Sequence, residues 1–438
     1  MLDKDFLFGV ASSAYQIEGA WNEDGKCQSI WDEISHGKGR HKVLNKHTGD
    51  IACDHYHQYK DDVKLMEILG VNAYRFSISW SRICTQKCVC TNLKGIKFYQ
   101  NLVKELKKSN IEPFVTLYHW DLPKWLDDIG GWSNPKSIEY FKCYAETMFD
   151  ALPEVKNWIT FNEPAVFVNN FWGHENLPKA TRNVLISHGE AVKSYRENHD
   201  GKIGISLNLM PVKPSVYTDD DMSAAENIDK RHNGLWLEPI FNGHFPSGIN
   251  KIFGYKKNLL RFSEKEKSIV STPVDFLGIN YYTSLEVQSN PEMPAGYEAL
   301  PGGYPKDEMG VEIVPYGLYD IVMQMKEKYN NPEMYITENG RACTDIFGHD
   351  KRIHDVERIE YMKEHLYYAD KAINRGANLK GYFYWSMMDN FEWISGYNKR
   401  FGLLYIFYPT QSRVCKDSYH WYQSFIKDKE FRKQAMEF

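Results

Sequence analysis

The stretch Phe114-Val115-Thr116-Leu117-Tyr118 is apolar or β-branched at every position. A strand with one wet face alternates polar and apolar residues, so an unbroken run predicts a strand buried on both faces. Similar runs recur, and the candidate strands are residues 6–12, 72–78, 112–118, 157–163, 202–208, 274–280, 333–339 and 379–386. Helical periodicity falls between them, as in 59–69 with apolar Val63, Leu65, Met66 and Leu69. Further helical stretches cover 95–107, 138–149, 184–198, 223–235, 316–329 and 355–374. Strands alternating with helices pair in parallel through right-handed crossovers. Eight such units predict an α/β fold, a single (β/α)8 TIM barrel, with 1–438 as one domain. An open doubly wound sheet is the competing architecture. It would carry a Gly-rich phosphate loop after its first strand, and Gly9-Val10-Ala11-Ser12-Ser13-Ala14 does not fit GxGxxG.

The composition agrees with a globular chain: of 438 residues, 42% are hydrophobic and 25% charged, enough for a large core without staples. Net charge is −5 with the charges scattered, so neither nucleic acid nor a membrane surface is expected as a partner. No stretch is long and apolar enough to span a bilayer. The start, Met1-Leu2-Asp3-Lys4-Asp5-Phe6, has no apolar core of a signal peptide, and no Asn-X-Ser/Thr sequon occurs. The eight cysteines are scattered as expected of free thiols in a reducing compartment, which makes the cytoplasm the expected location. Cys84, Cys88 and Cys90 cluster, but no CxxC pair or fourth ligand accompanies them, so a structural or incidental role is expected over a metal site. Aromatic residues make up 15%, which suits either a ring-rich core or a cleft that stacks on the apolar faces of sugars.

Barrel chemistry gathers at the C-terminal ends of the strands. Those positions hold Gln16, Arg75, His119, Asn162 with Glu163, Asn208, Asn280 with Tyr282, Glu338 with Asn339, and Trp385. One polar strand end is ordinarily a cap or a structural bond, but a whole ring of them points to a site. Pro164 disfavours helix at the residue before it and suits a first helical turn, so it ends the fourth strand at Glu163. Gly340 permits a sharp turn just after Glu338. Two facing carboxylates, many hydroxyl-binding groups and no metal-ligand cluster suggest glycoside hydrolysis without metal or cofactor.

The same residues carry a family resemblance. The segments Phe6-Leu7-Phe8-Gly9-Val10-Ala11-Ser12-Ser13-Ala14-Tyr15-Gln16-Ile17-Glu18-Gly19, Tyr74-Arg75-Phe76-Ser77-Ile78-Ser79-Trp80, Thr160-Phe161-Asn162-Glu163-Pro164, Ile336-Thr337-Glu338-Asn339-Gly340 and Asp389-Asn390-Phe391-Glu392-Trp393 resemble, in order, the signatures of glycoside hydrolase family 1, the retaining β-glucosidase-like enzymes. The resemblance implies hydrolysis of terminal β-D-glucosyl residues of a small glucoside or oligosaccharide, with galactosyl and fucosyl substrates left open. It implies Glu163 as acid/base and Glu338 as nucleophile, with carboxyls only about 5 Å apart. Arg75 and Tyr282 are expected against Glu338, holding it ionised, while the neighbouring charge raises Glu163. Gln16, His119 and Glu392 are expected on the outer hydroxyls with Trp393 assisting, Asn162 on the 2-hydroxyl, Asn280 in the binding set and Trp385 as the floor.

Some positions depart from the family pattern. Residues 171–179 form a shorter loop than usual, and Arg341 stands where a small residue is common, placed to touch the leaving group or solvent. Phosphorylated-sugar hydrolases carry small and cationic residues after the eighth strand. Here Glu392-Trp393 disfavours that alternative, although Lys399 and Arg400 lie nearby. A catalytically silent scaffold would have lost one or both glutamates. A metal-dependent hydrolase would need a cluster such as Asp54-His55-Tyr56-His57, which fits better as a helix N-cap with its neighbours. Oligomeric state is not legible.

Overall fold

The computed structural model describes residue 2 and residues 5–86, 90–293 and 296–437. Eight parallel strands close on themselves: β1 (Leu7–Ala11), β2 (Ala73–Ser77), β3 (Glu112–Tyr118), β4 (Asn157–Asn162), β5 (Lys202–Asn208), β6 (Phe276–Asn280), β7 (Met334–Asn339) and β8 (Leu379–Trp385). β1 pairs with both β2 and β8, so the sheet has no edge. The outer layer comprises α1 (His55–Leu69), α2 (Leu93–Lys108), α3 (Lys136–Ala151), α4 (Pro164–Asn198), α5 (Asp219–Asp229), α6 (Pro315–Lys328), α7 (Val356–Asn374) and α8 (Asp417–Lys427). Every expected strand is present to within two residues at each end.

Strands buried on both faces need packing on both sides. Outside, the helices supply it. Inside, Phe114, Phe276, Tyr335 and Phe383 plug the lumen, with ring centroids 4.9–6.5 Å apart and mostly edge-on contacts. Gly9 makes room for this plug, since a Cβ there would lie 2.4 Å from the Phe383 ring. The plug sits below the strand ends and forms the floor on which the polar groups rest. Register shifts interrupt β4–β5 pairing between Ile159 and Asn162, and β6–β7 pairing between Ile336 and Glu338. Such irregularities re-aim side chains, and both fall beside the two glutamates.

Several local expectations are corrected. Residues 171–179 are not a loop: α4 runs from Pro164, broken only at Gly173 with φ 56°. Pro178 lacks the N–H that would bond the His174 carbonyl, and the Tyr255 hydroxyl donates to that carbonyl instead at 2.8 Å. The helix expected over 223–235 is α5 continued by a π-turn, Lys230–Gly234, into Leu235–Asn242. Asp54 does stand at the N-cap position of α1, but in a left-handed conformation that prevents a side-chain cap. Its carboxylate instead accepts from Gln58 at 3.1 Å and pairs with His57 at 2.5 Å. Not all the thiols are free: Cys84 and Cys90 form a disulfide, which removes the support that free thiols gave to a reducing compartment. Cys88 lies outside the described residues. No described helix is long and apolar enough to cross a membrane.

Candidate active site

The strand ends converge on one polar network. Arg75, at the middle of β2, is fully buried and uses its guanidinium as a hub. Nη1 donates to Glu338 Oε1 at 2.6 Å and to the Thr337 carbonyl at 3.1 Å, Nη2 donates to Asn162 Oδ1 at 2.5 Å, and Nε donates to Thr116 at 3.3 Å. Tyr282 donates to the other oxygen of Glu338 at 2.9 Å. Glu338 therefore has a cation on one side and a phenol on the other.

Among the described residues, the hydrogen bonds to the Glu163 carboxyl come from amides alone. Asn208 and Asn280 both donate to its Oε1, at 3.1 and 2.9 Å. The Asn280 amide is oriented from behind: Ser206 donates to Thr337, and the Thr337 hydroxyl donates to Asn280 Oδ1 at 2.7 Å. That fixes Nδ2 toward Glu163 and Asn162. Ser206, Thr337 and Thr116 were not singled out from sequence. Inward-facing hydroxyls two residues before a strand end are the signal that would have found them.

Burial pushes both carboxyls up. For Glu163 it acts first and the Glu338 charge second, carrying the carboxyl to about 7. The neighbouring charge thus raises Glu163 as expected, and loss of water, which the sequence did not show, is the larger cause. Glu338 is also raised by burial, but Arg75, Tyr282 and Asn280 all pull it back down. Two buried acids that repel each other titrate as a pair, and the one facing a guanidinium gives up its proton first.

His119 is held neutral by burial and by the Arg75 charge. Asn162 donates to its Nε2 at 3.0 Å, which assigns the remaining proton to Nδ1. Nδ1 has no hydrogen-bond partner among the described residues, so a buried N–H remains for a hydroxyl. Around it the indoles form walls. His119 stacks on Trp385 at 5.8 Å and on Trp393 at 6.1 Å, and Trp120 stacks on Trp393 at 4.7 Å. Trp120, which sequence reasoning passed over, also donates to the Asn162 carbonyl at 3.1 Å. Glu163, Trp120 and Trp393 all adopt left-handed backbone, with φ of 48°, 75° and 48°. Non-glycine residues in that region carry strain, and such strain collects at functional sites. The Trp385–Ser386 peptide bond is cis.

Gln16 ties β1 to the loop after β8. Its amide donates to Asn390 and to the Phe391 carbonyl at 3.0 Å each, and to Glu392 at 3.3 Å. Burial pushes Glu392 up to about 8, with the Glu338 and Glu163 charges adding to the effect. Beneath this loop, buried Lys416 bridges Asp345 at 2.5 Å and Asp389 at 2.7 Å, and Asp389 also pairs with Arg400 at 2.5 Å. Arg400 is thus committed to the loop's own frame. Lys399 donates to the Glu308 carbonyl. Arg341 is half-buried and pairs with the exposed Glu357 at 2.8 Å.

The remaining histidine-rich motif comes apart. His55 pairs with buried Asp62 at 2.7 Å, while His57 sits at the surface between Asp54 and Glu23. No group of three or more acidic, His or Cys side chains among the described residues is placed to hold a metal ion.

Comparison with known proteins gives a consistent result. Residues 1–431 match the model of glycosyl hydrolase family 1. The chain is 42% identical to a β-glucosidase A of Acetivibrio thermocellus, with 98% of each chain covered, and 43% identical to a β-glucosidase A of Thermotoga maritima, with 97% of each covered. Among solved structures, the family 1 β-glucosidase from Thermotoga maritima superposes with a TM-score of 0.92 at 42% identity, covering 97% of this chain and 98% of that one. The same relative in complex with glucoimidazole superposes with a TM-score of 0.92.

Proposed function

The chain belongs to glycosyl hydrolase family 1, and from that premise we propose that it is a retaining β-glucosidase acting by double displacement. The observation that carries the mechanism is the unequal treatment of its two buried glutamates. Glu338, bonded by Arg75 at 2.6 Å and Tyr282 at 2.9 Å, is the anion and attacks the anomeric carbon. Glu163 holds the proton and delivers it to the departing glycosidic oxygen as that bond breaks. The product of this step is a glycosyl ester on Glu338, and the freed alcohol leaves with the Glu163 proton. Esterification removes the Glu338 charge, Glu163 becomes more acidic, and as a carboxylate it takes a proton from water. That water attacks the same carbon, Glu338 departs as the carboxylate, and the sugar leaves with its configuration retained.

The sugar contacts follow from groups left with bonding capacity. His119 Nδ1–H, Gln16 and Glu392 receive the outer hydroxyls, assisted by Trp393. Asn162, oriented by Arg75, receives the 2-hydroxyl, with Asn280 beside it, and Trp385 lies under the ring. A phosphorylated sugar is disfavoured because Glu392 offers it no positive charge, while Lys399 and Arg400 are engaged elsewhere. The partner is thus an uncharged β-glucosyl compound.

Hydrolysis of p-nitrophenyl β-D-glucoside followed by proton NMR tests the reading. β-Glucose is expected as the first-formed anomer, mutarotating only later. First-formed α-glucose would mean inversion and would remove the covalent role of Glu338. Absence of product, with β-galactoside turned over instead, would move the glycone assignment and leave the mechanism standing.

A further inference from the structure

Away from the strand ends, a hollow of about 690 Å³ opens within residues 244–267. Its cations are Lys251, Lys256, Lys257, Arg261 and Lys267, of which Lys267 pairs with Glu264 at 2.7 Å, and no carboxylate among the described residues lines it. This runs against the net charge of −5 of the chain. Elsewhere surface cations are commonly tied to acids, as Lys213 is to Asp320 and Lys202 to Glu333, each at 2.5 Å. Lys251, Lys256, Lys257 and Arg261 are exposed and have no ion pair among the described residues. Like charges gathered without counter-charge create a local positive potential that favours an anion.

The hollow has a built frame. The Asn250 side chain accepts from the Leu259 and Leu260 N–H groups at 2.8 and 2.9 Å and donates to Asn258 at 2.7 Å, which staples the loop. Phe245 stacks on buried Phe262 at 4.4 Å and Tyr255 on buried Phe253 at 5.8 Å, which leaves half-buried Phe245 and Tyr255 as the rings that line the hollow. Through Gly248 and Lys251 the hollow adjoins a second one, of about 860 Å³, which adds Arg231, and Lys230 paired with Glu226 at 2.7 Å; no carboxylate among the described residues lines it. Arg231 lies over the Phe253 ring at 4.9 Å. Neither hollow shares a residue with the candidate active site.

We propose that these adjoining hollows bind an anionic oligosaccharide, one bearing carboxylates or sulfates, at a surface separate from the active site. Flat rings suit the apolar faces of pyranoses, amides such as Asn227 suit their hydroxyls, and the unpaired cations suit their acids. A nucleic acid fits less well. A long polyanion would extend beyond the patch onto the rest of a chain whose net charge is −5. A short anionic glycan stays within it. The proposal does not rest on the glucosidase reading.

The test is calorimetric titration of the whole enzyme with hexagalacturonate, a heparin hexasaccharide, cellohexaose and hexauridylate, with glucose present to occupy the active site. At least one anionic hexasaccharide should bind about tenfold or more tighter than cellohexaose, and should weaken as salt rises from about 50 to about 200 mM. The triple variant Lys251→Glu, Lys257→Glu, Arg261→Glu should lose at least about tenfold of that affinity, with hydrolysis of p-nitrophenyl β-glucoside unchanged in both proteins. The same three positions changed to Gln give a milder second variant, should charge reversal perturb folding. Failure of both anionic sugars to bind, equal binding by the variants, or tighter binding of hexauridylate would each overturn the proposal. Loss of glucoside hydrolysis in the wild type would instead count against the glucosidase reading alone.

Discussion

The ends of β4 and β7 make a controlled comparison inside one molecule. Each strand closes on a glutamate, and the two lie at nearly equal depth, with Glu163 5% and Glu338 3% exposed. Burial raises both carboxyls. What differs is the company. Glu338 faces a guanidinium and a phenol, whereas Glu163 faces the amides of Asn208 and Asn280. Amides stabilise a carboxylate without neutralising it, so desolvation prevails at β4 and is countered at β7. Depth does not separate the proposed acid from the proposed nucleophile; the position of one arginine does.

The strongest way to break the comparison is to remove one glutamate at a time. Glu338→Gln should abolish turnover of every β-glucoside, with a fall on the order of 10⁴-fold or more in kcat/KM, since no other group forms the covalent intermediate. Glu163→Ala should cost roughly 10²–10⁴-fold on alkyl glucosides, whose leaving groups need a proton. Nitrophenyl glucosides should lose much less in the first step. Comparable losses on both substrate classes would contradict the acid role of Glu163, and residual alkyl-glucoside turnover in Glu338→Gln would contradict the nucleophile.

Much of this contrast was legible from sequence, and for a definite reason. A strand buried on both faces, as Phe114–Tyr118 is, leaves an unbroken apolar run, which its recurrence between helical stretches assigns to a strand, and its end is marked by the first polar residues after it. Proline after Glu163 and glycine after Glu338 marked two ends sharply. The kinked α4 was not legible, because Gly173 and Pro178 signal a break. The carbonyl that Pro178 leaves without its helical partner is met by a hydroxyl distant in sequence, from Tyr255. Nor was the Cys84–Cys90 pairing, since spacing alone does not say which thiols meet. The relative weight of burial and charge on Glu163 escaped as well. Charge neighbours follow from motif, but exclusion of water is a property of the whole fold.

A smaller effect isolates the arginine. Arg75→Met leaves Glu338 buried with only Tyr282 and amides, and removal of one partner of a buried pair costs about 3–5 kcal/mol. The acidic limb of the kcat/KM profile should then move to higher pH, because a less stabilised Glu338 keeps its proton longer. A variant that lost activity uniformly at all pH values, with the limb unmoved, would show that Arg75 positions Asn162 rather than holding the charge. Tyr282→Phe should displace the same limb in the same direction by less, since one hydrogen bond to a charged group is worth about 1.5–3 kcal/mol at most.

The finest distinction is between burial and charge at Glu163 itself. In the wild type, activity should fall as pH rises through about 7, because the first step needs the protonated form. In Glu338→Gln that limb cannot be read kinetically, but carbon NMR of labelled glutamate can follow the titration directly. Removing the neighbouring anion should lower the Glu163 pKa, since like charge disfavours ionisation. Burial is the larger cause and survives the substitution, so the value should settle between the wild-type one and the ordinary 4.5. A fall all the way to the ordinary value would mean that charge alone raises it. No movement at all would mean that the two carboxyls do not sense each other, and the proposed switch of Glu163 from acid to base on esterification of Glu338 would lose its cause.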